Sequence, residues 1–103
     1  MDFKNTNVSW NKHFFIIIYK IKKEYFGFIL SSKLHTIKYS CNKYLKRDDI
    51  NHLNKNSIIK CDTLMKFTDS DIKFKIGEIT DYEFYKIIDT HIIYSLNSKD
   101  INS

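Results

Sequence analysis

His13-Phe14-Phe15-Ile16-Ile17-Ile18-Tyr19-Lys20 is an unbroken run of β-branched and aromatic residues, and its reading decides the fold of this chain. A surface helix would break such a run with a polar residue every turn, and a half-exposed strand would alternate. This run does neither, so it reads as a strand buried on both faces, central in a sheet. Lys22-Lys23-Glu24 follows as a turn, and Tyr25-Phe26-Gly27-Phe28-Ile29-Leu30 returns as a second strand to make a hairpin. Gly27 inside that strand marks a bulge or a close backbone approach, which curls a small sheet towards a barrel. On the other flank, residues 1–12 are polar apart from Val8 and Trp10 and read as an arm or a weak edge strand.

The second strand leaves the sheet at Ser31-Ser32-Lys33. Residues 34–41 alternate loosely, as a third strand would, and residues 42–56 are polar, with Asp48 placed to cap a short helical turn and Leu53 to dock it. Ser57-Ile58-Ile59-Lys60-Cys61-Asp62-Thr63-Leu64 is a further short strand that continues to Phe67. Because side chains alternate along a strand, Lys60 and Asp62 point to one face while Ile59 and Cys61 point to the other. Thr68-Asp69-Ser70-Asp71 is a turn, Ile72 to Ile76 alternates apolar residues with lysine, and Gly77 breaks that strand. Thr80-Asp81-Tyr82-Glu83 has the form of a capping box, and Phe84, Ile87, Ile88, His91, Ile92 and Leu96 then fall on one stripe at helical spacing. The expectation is one domain over residues 1–103, α+β but mainly β. It comprises five or six mostly antiparallel strands in a small, partly open barrel, a helix over 80–96 and a frayed tail over 97–103.

Composition narrows the partners. Lysine and arginine outnumber acidic residues 17 to 12 for a net charge of +5, and only Arg47 of these cations is an arginine. This favours an anionic partner, whether nucleic acid, acidic protein or membrane surface, although a Lys, Ile and Asn bias also accompanies an AT-rich genome. Cys41 and Cys61 have no neighbour at zinc-ligand spacing, so two free buried thiols, no metal and no cofactor are expected. The apolar run is too short to span a bilayer and the first residues do not resemble a secretion signal, so the expected location is the cytoplasm, away from membranes.

Three segments, in order, resemble the MazF/PemK-like toxin endoribonucleases, the superfamily that also includes the ToxN and TenpN toxins. The hairpin ending in Ser31-Ser32 is similar to a pair of family strands that ends in Thr-Ser. Lys60-Cys61-Asp62 is similar to the Arg-Cys-Asp of the PemK branch, and Ile76-Gly77-Glu78-Ile79-Thr80-Asp81-Tyr82-Glu83 to the Ile-Gly-x-Leu-Ser-x-Glu-Glu that begins the last helix. The chain departs from the pattern in a shorter opening, in His13-Phe14 where Arg-Pro stands, and in Lys60 where arginine stands. The resemblance implies an SH3-like barrel of the MazF, PemK and CcdB type. It also implies a toxin that cleaves single-stranded RNA without metal, leaving a 2′,3′-cyclic phosphate and a 5′-hydroxyl, with a protein or RNA antitoxin as partner. Homodimers are common in the MazF branch.

Such chemistry needs a base for the 2′-hydroxyl, an acid for the leaving 5′-oxygen and fixed positive charge at the phosphoryl oxygens. On this reading Asp62 is the base, His13 the acid, Lys60 a phosphate counter-charge and Ser31 a donor to the phosphate. Ser32, Lys33, His35, Lys38, Lys43, Lys46 and Arg47 bind the RNA, His35 and His52 are alternative acids, and Tyr19, Tyr25, Tyr39 and Tyr44 are candidates for base stacking. Taken without the resemblance, Lys60 and Asp62 are an ordinary solvated pair on a strand, Ser31 and Ser32 ordinary strand-end residues, and His91 a packed boundary histidine. The competing function is a non-catalytic inhibitor on the same fold, binding nucleic acid or protein, such as a phage-encoded inhibitor of a host or defence complex.

Overall fold

In the computed structural model, which describes residues 5–10 and 13–102 (side chains for 14–73 and 75–97), the apolar run forms β2, His13–Ile21, in the interior of a seven-stranded sheet. Its two faces bury two different clusters. Ile16 and Ile18 pack with Phe28, Leu30, Ile59, Cys61 and Ile87, while Phe15 and Ile17 pack with Phe67 on the opposite side. The Phe15 and Phe67 rings stack at 4.1 Å. Each such side chain contributes about 1.5–3 kcal/mol on burial, which is why a run without polar interruption is held at the centre.

β3, Glu24–Ser31, pairs with β2 across the hairpin. Its other edge is shared by two short strands, β5 (Ser57–Lys60) beside Leu30 and Ser31, and β6 (Met65–Thr68) beside residues 24–27. Two residues lie between Gly27 and Leu30 on β3, whereas five lie between Ile59 and Met65 on the opposing chain. Three surplus residues are therefore pushed out of the ladder, and the excursion they form contains Cys61, Asp62 and Thr63. Gly27 meets the need read for it as a close approach: a Cβ there would lie 1.9 Å from the Ile16 carbonyl oxygen.

The remaining strands are β1 (Asn5–Trp10), β4 (Asn42–Leu45) and β7 (Phe74–Glu78), giving the order β4-β5-β3-β2-β1-β7 with every pairing antiparallel. The two ends of this order approach each other. The Glu78 N–H donates to the Ile50 carbonyl at 2.9 Å, so β7 is tied to the loop that follows β4. At that seam Asn51 is buried, its Oδ1 accepts from the Asp48 and Leu53 N–H groups, and its Nδ2 donates to the Lys46 carbonyl. Gly77 lies directly against it, because a Cβ would sit 2.3 Å from the Asn51 carbonyl oxygen. Asp48 caps this turn through bonds from the Ile50 and Asn51 N–H groups, as expected, and Leu53 is buried.

Several expectations are corrected. Residues 5–10 are not an arm or an edge, since β1 pairs with β2 on one side and β7 on the other. Residues 34–41 do not form a strand; Leu34–Lys38 is a 3-10 turn, held by bonds from the Thr36 hydroxyl to the Lys33 carbonyl and from Asn42 Nδ2 to the Thr36 carbonyl. Gly77 lies inside β7 rather than ending it. The helix, α1, spans Asp81–Asn102, through the stretch read as a frayed tail, where no glycine or proline stops it. The Thr80 hydroxyl accepts from the Glu83 N–H at 3.2 Å, but the Glu83 carboxylate bonds Lys43 Nζ at 2.7 Å and so fastens α1 to β4. Ile87 is fully buried, whereas Ile92 and Leu96 at the far end of the stripe are exposed. No helix among the described residues is long and apolar enough to cross a membrane.

The seam predicts that Gly77→Ala destabilises the protein by about 3 kcal/mol or more, because its new methyl group meets backbone that cannot rotate away. Asn51→Ala, which leaves the buried Leu53 N–H, the Asp48 N–H and the Lys46 carbonyl without their partner, should cost about 2 kcal/mol. Urea unfolding monitored by circular dichroism measures both.

Candidate active site

The three-residue excursion between β5 and β6 is pegged at Cys61. Its side chain is fully buried, its N–H donates to the Cys41 carbonyl at 2.9 Å, and its carbonyl oxygen lies 2.6 Å from His91 Nδ1 on α1. His91, half-buried beside the Phe28 ring, therefore carries its proton on Nδ1. The expected single strand from Ser57 to Phe67 is thus broken, β5 ending at Lys60 and β6 starting at Met65. With Cys61 held inward from both sides, its neighbours Lys60 and Asp62 line one outer surface from a strand end and a turn rather than by strand alternation.

Outward, in this fold, means into a cleft. An open cavity of about 350 Å³ is floored by Ile29, Leu30 and Met65 and rimmed by Ser31, Lys33, Lys60, Asp62 and Thr63. Four residues singled out in the sequence as site candidates, drawn from segments almost thirty residues apart, thus line one surface. The Ser31 hydroxyl oxygen accepts from the Lys33 N–H at 3.1 Å, which leaves the hydroxyl hydrogen available to donate. Among the described residues neither Lys60 nor Asp62 makes an ion pair, so cation and carboxylate are both open to a ligand. A phosphate seated here would meet two ammonium groups and a hydroxyl, with a carboxylate on the same rim to accept a proton.

No family model matches the chain, and neither does any curated protein sequence. Solved structures do match. The toxin MazF-mt6 of Mycobacterium tuberculosis superposes with a TM-score of 0.67 at 13% identity, over 93% of this chain and 96% of that one. This chain has the MazF fold. An endoribonuclease from a mycobacterial species gives 0.68 at 11% identity, covering 94% and 91% of the two chains. A mycobacterial endoribonuclease in complex with its cognate antitoxin gives 0.61 at 10%, covering 94% and 93%. The likeness extends over nearly the whole of each chain, so the MazF-type architecture of strands and terminal helix implied by the three sequence segments is present.

The other sequence candidates are scattered. The backbone of His13 begins β2, and its side chain lies outside the described residues. Ser32 lines a neighbouring depression rather than the cleft. His35 and Lys38 are exposed on the 3-10 turn, with Lys38 Nζ over the Tyr39 ring. Lys43 is held by Glu83, and Lys46 and Arg47 are exposed at the start of the seam loop. His52 lines a different depression with Ile50, Lys75 and Gly77. Tyr19 stacks on Phe26 and Tyr25 lies under Lys20, both on the hairpin, and none of the four tyrosines lines the cleft. Met65, Thr63 and the His91 anchor carried no sequence signal of a site, since a bond to a main-chain carbonyl leaves no pattern in the residues that make it.

Burial pushes the Cys61 thiol up from 9.0 to about 12. The folded protein thus keeps a proton that the unfolded chain releases near pH 9. The associated stability is complete below pH 9 and is lost as pH rises towards 12. Denaturant melts between pH 8 and 11 should show this decline, and it should vanish in Cys61→Ala. At pH 8 a thiol reagent should label half-buried Cys41 and leave Cys61 untouched until the protein unfolds.

Proposed function

We propose that this chain is the toxin of a toxin-antitoxin pair, a sequence-specific endoribonuclease that cleaves single-stranded RNA. The observation that supports it best is the gathering of Asp62, Lys60, Ser31 and Lys33 on one cleft of a MazF fold. In this reading Asp62 takes the proton of the 2′-hydroxyl, whose oxygen then forms a bond to the adjacent phosphorus. The bond from phosphorus to the 5′-oxygen breaks, and His13 gives that oxygen a proton. In support, the β2 to β3 register runs as far as the Phe15 and Ile29 pair, two residues short of His13 and Ser31 on their respective strands. Lys60 and Lys33 neutralise the phosphoryl oxygens as charge builds on them, and the Ser31 hydroxyl donates to one of them. The products are a 2′,3′-cyclic phosphate and a 5′-hydroxyl, and DNA, lacking the nucleophile, is left intact.

One similar structure is an endoribonuclease bound to its cognate antitoxin. We infer an antitoxin here too, either a protein that lays an acidic, apolar segment over the cationic cleft or an RNA that fills it. Lys46, Arg47, Lys38 and His35, exposed away from the cleft, are further contacts for RNA in this proposal, to which a homodimer also belongs.

Asp62→Ala should lower cleavage of single-stranded RNA by 100-fold or more, on the order expected for loss of a general base, with the circular dichroism spectrum unchanged. Lys60→Met should lower it and Lys60→Arg should restore it, because guanidinium can contact phosphate through two bonds. Cleavage should persist in EDTA. Purified wild type that cuts no single-stranded RNA after any bound antitoxin is stripped away would refute the nuclease reading.

A further inference from the structure

A second depression, of about 310 Å³, adjoins the cleft and shares Leu30 and Ser31 with it. We infer that it is a base-binding subsite that takes one unstacked nucleobase of the RNA next to the scissile phosphate, with Phe14 as its stacking surface and Asn54 as its hydrogen-bonding edge. The inference rests on the nuclease reading for its placement beside the cut, but the subsite can be tested without cleavage.

The residues beyond Ser31 differ in kind from those of the cleft. The cleft carries two lysines and a carboxylate, whereas the depression carries Phe14, Ser32, Asn54, Lys55 and Ser57, with one cation among them. Phe14 is half-buried, packed against the main core on one side and lining the depression on the other, so its ring is held in place without being covered. Single-stranded RNA is read by splaying a base onto such an aromatic face and hydrogen-bonding its edge. Asn54 supplies a donor and an acceptor in one plane. Other asparagines around the site are consumed by the fold: Asn51 holds the seam turn, Asn56 accepts from the Arg47 N–H, and Asn42 donates to the Thr36 carbonyl. Among the described residues the exposed Asn54 amide has no such task. Below it, buried Ser57 donates to the Lys55 carbonyl at 3.2 Å, which steadies the wall while the Lys55 ammonium stays exposed to meet a phosphate. An acidic peptide would gain little here, since a single cation faces it. A base gains a ring, an amide and a flanking counter-charge.

The test uses a 2′-O-methyl RNA hexamer pool, randomised in sequence and resistant to cleavage, with one abasic nucleotide moved through the six positions. Binding to wild type, Phe14→Leu and Asn54→Ala is followed by fluorescence anisotropy. Phe14→Leu keeps the apolar packing, and Asn54→Ala alters an exposed loop, so both should fold. At one position the abasic substitution should weaken wild-type binding about tenfold, in line with the loss of one base stack, and should cost clearly less in Phe14→Leu, which lacks the stacking ring, and in Asn54→Ala, which no longer bonds the base edge. Equal losses for wild type and variants at every position, or no binding of the pool by wild type, overturns the subsite. Cleavage of unmodified RNA is scored separately. A protein that shows the abasic coupling but cuts nothing retains the subsite and loses the nuclease reading. One that cuts RNA but shows no coupling does the reverse.

Discussion

A length mismatch governs this molecule. β3 is an uninterrupted strand, and the chain opposing it carries three residues too many to stay in register from Ile59 to Met65. A surplus of that size cannot be absorbed by pleating, so it must leave the sheet. Because Cys61 is pegged inward by the Cys41 carbonyl, by His91 and by burial, the excursion has one arrangement, and Lys60 and Asp62 are presented next to the end of β3 where Ser31 and Lys33 stand. The cleft is thus a product of strand register, and the helix contributes through a single imidazole that holds the excursion down.

The rest of the fold serves that arrangement. β2 supplies burial on both faces, which lets β3 be central and still bear different partners along one edge. The seam at Asn51 and Gly77 closes the curl from the other side, and the Lys43 to Glu83 pair docks α1 against β4. Both glycines are placed by steric demand, each where a Cβ would collide with a carbonyl of the facing segment. In a chain with only these two glycines, that need was readable as a close approach at Gly27, though not the identity of the facing residue.

What the sequence disclosed follows from how far each signal reaches. The continuous run of β2, the hairpin, and the Thr80 cap are local patterns, and each is present. Lys60 and Asp62 do share a surface, but from a strand end and a turn rather than from the continuous strand that the local pattern suggested. Pairing is not local, so polar residues 5–10 gave no sign that they would be enclosed between β2 and β7. Residues 34–41 had a strand-like alternation that was outweighed by short-range bonds from Thr36 and Asn42. The charged lining of the cleft was legible in the sequence, whereas Met65 in the cleft and Phe14 and Asn54 in the adjoining depression were not, because their placement depends on which surfaces the sheet brings together. Lys43 illustrates the opposite error, since a cation in a polar stretch gives no hint that a glutamate forty residues later will occupy it.

The enclosure of β1 also sets an order of events. β1 forms a local hairpin with β2, but its other edge is completed by β7, which lies more than sixty residues later in the chain. Loop closure over such a distance is slow and comes after the local pairings that reduce its entropic cost. During synthesis that edge must wait, unpaired, until residue 78 has left the ribosome, and the excursion, already tied to the Cys41 carbonyl, gains its second anchor only when His91 follows. A half-made chain therefore has its lysines but no organised cleft. The time between the start of translation and the first complete sheet is a property written into strand order.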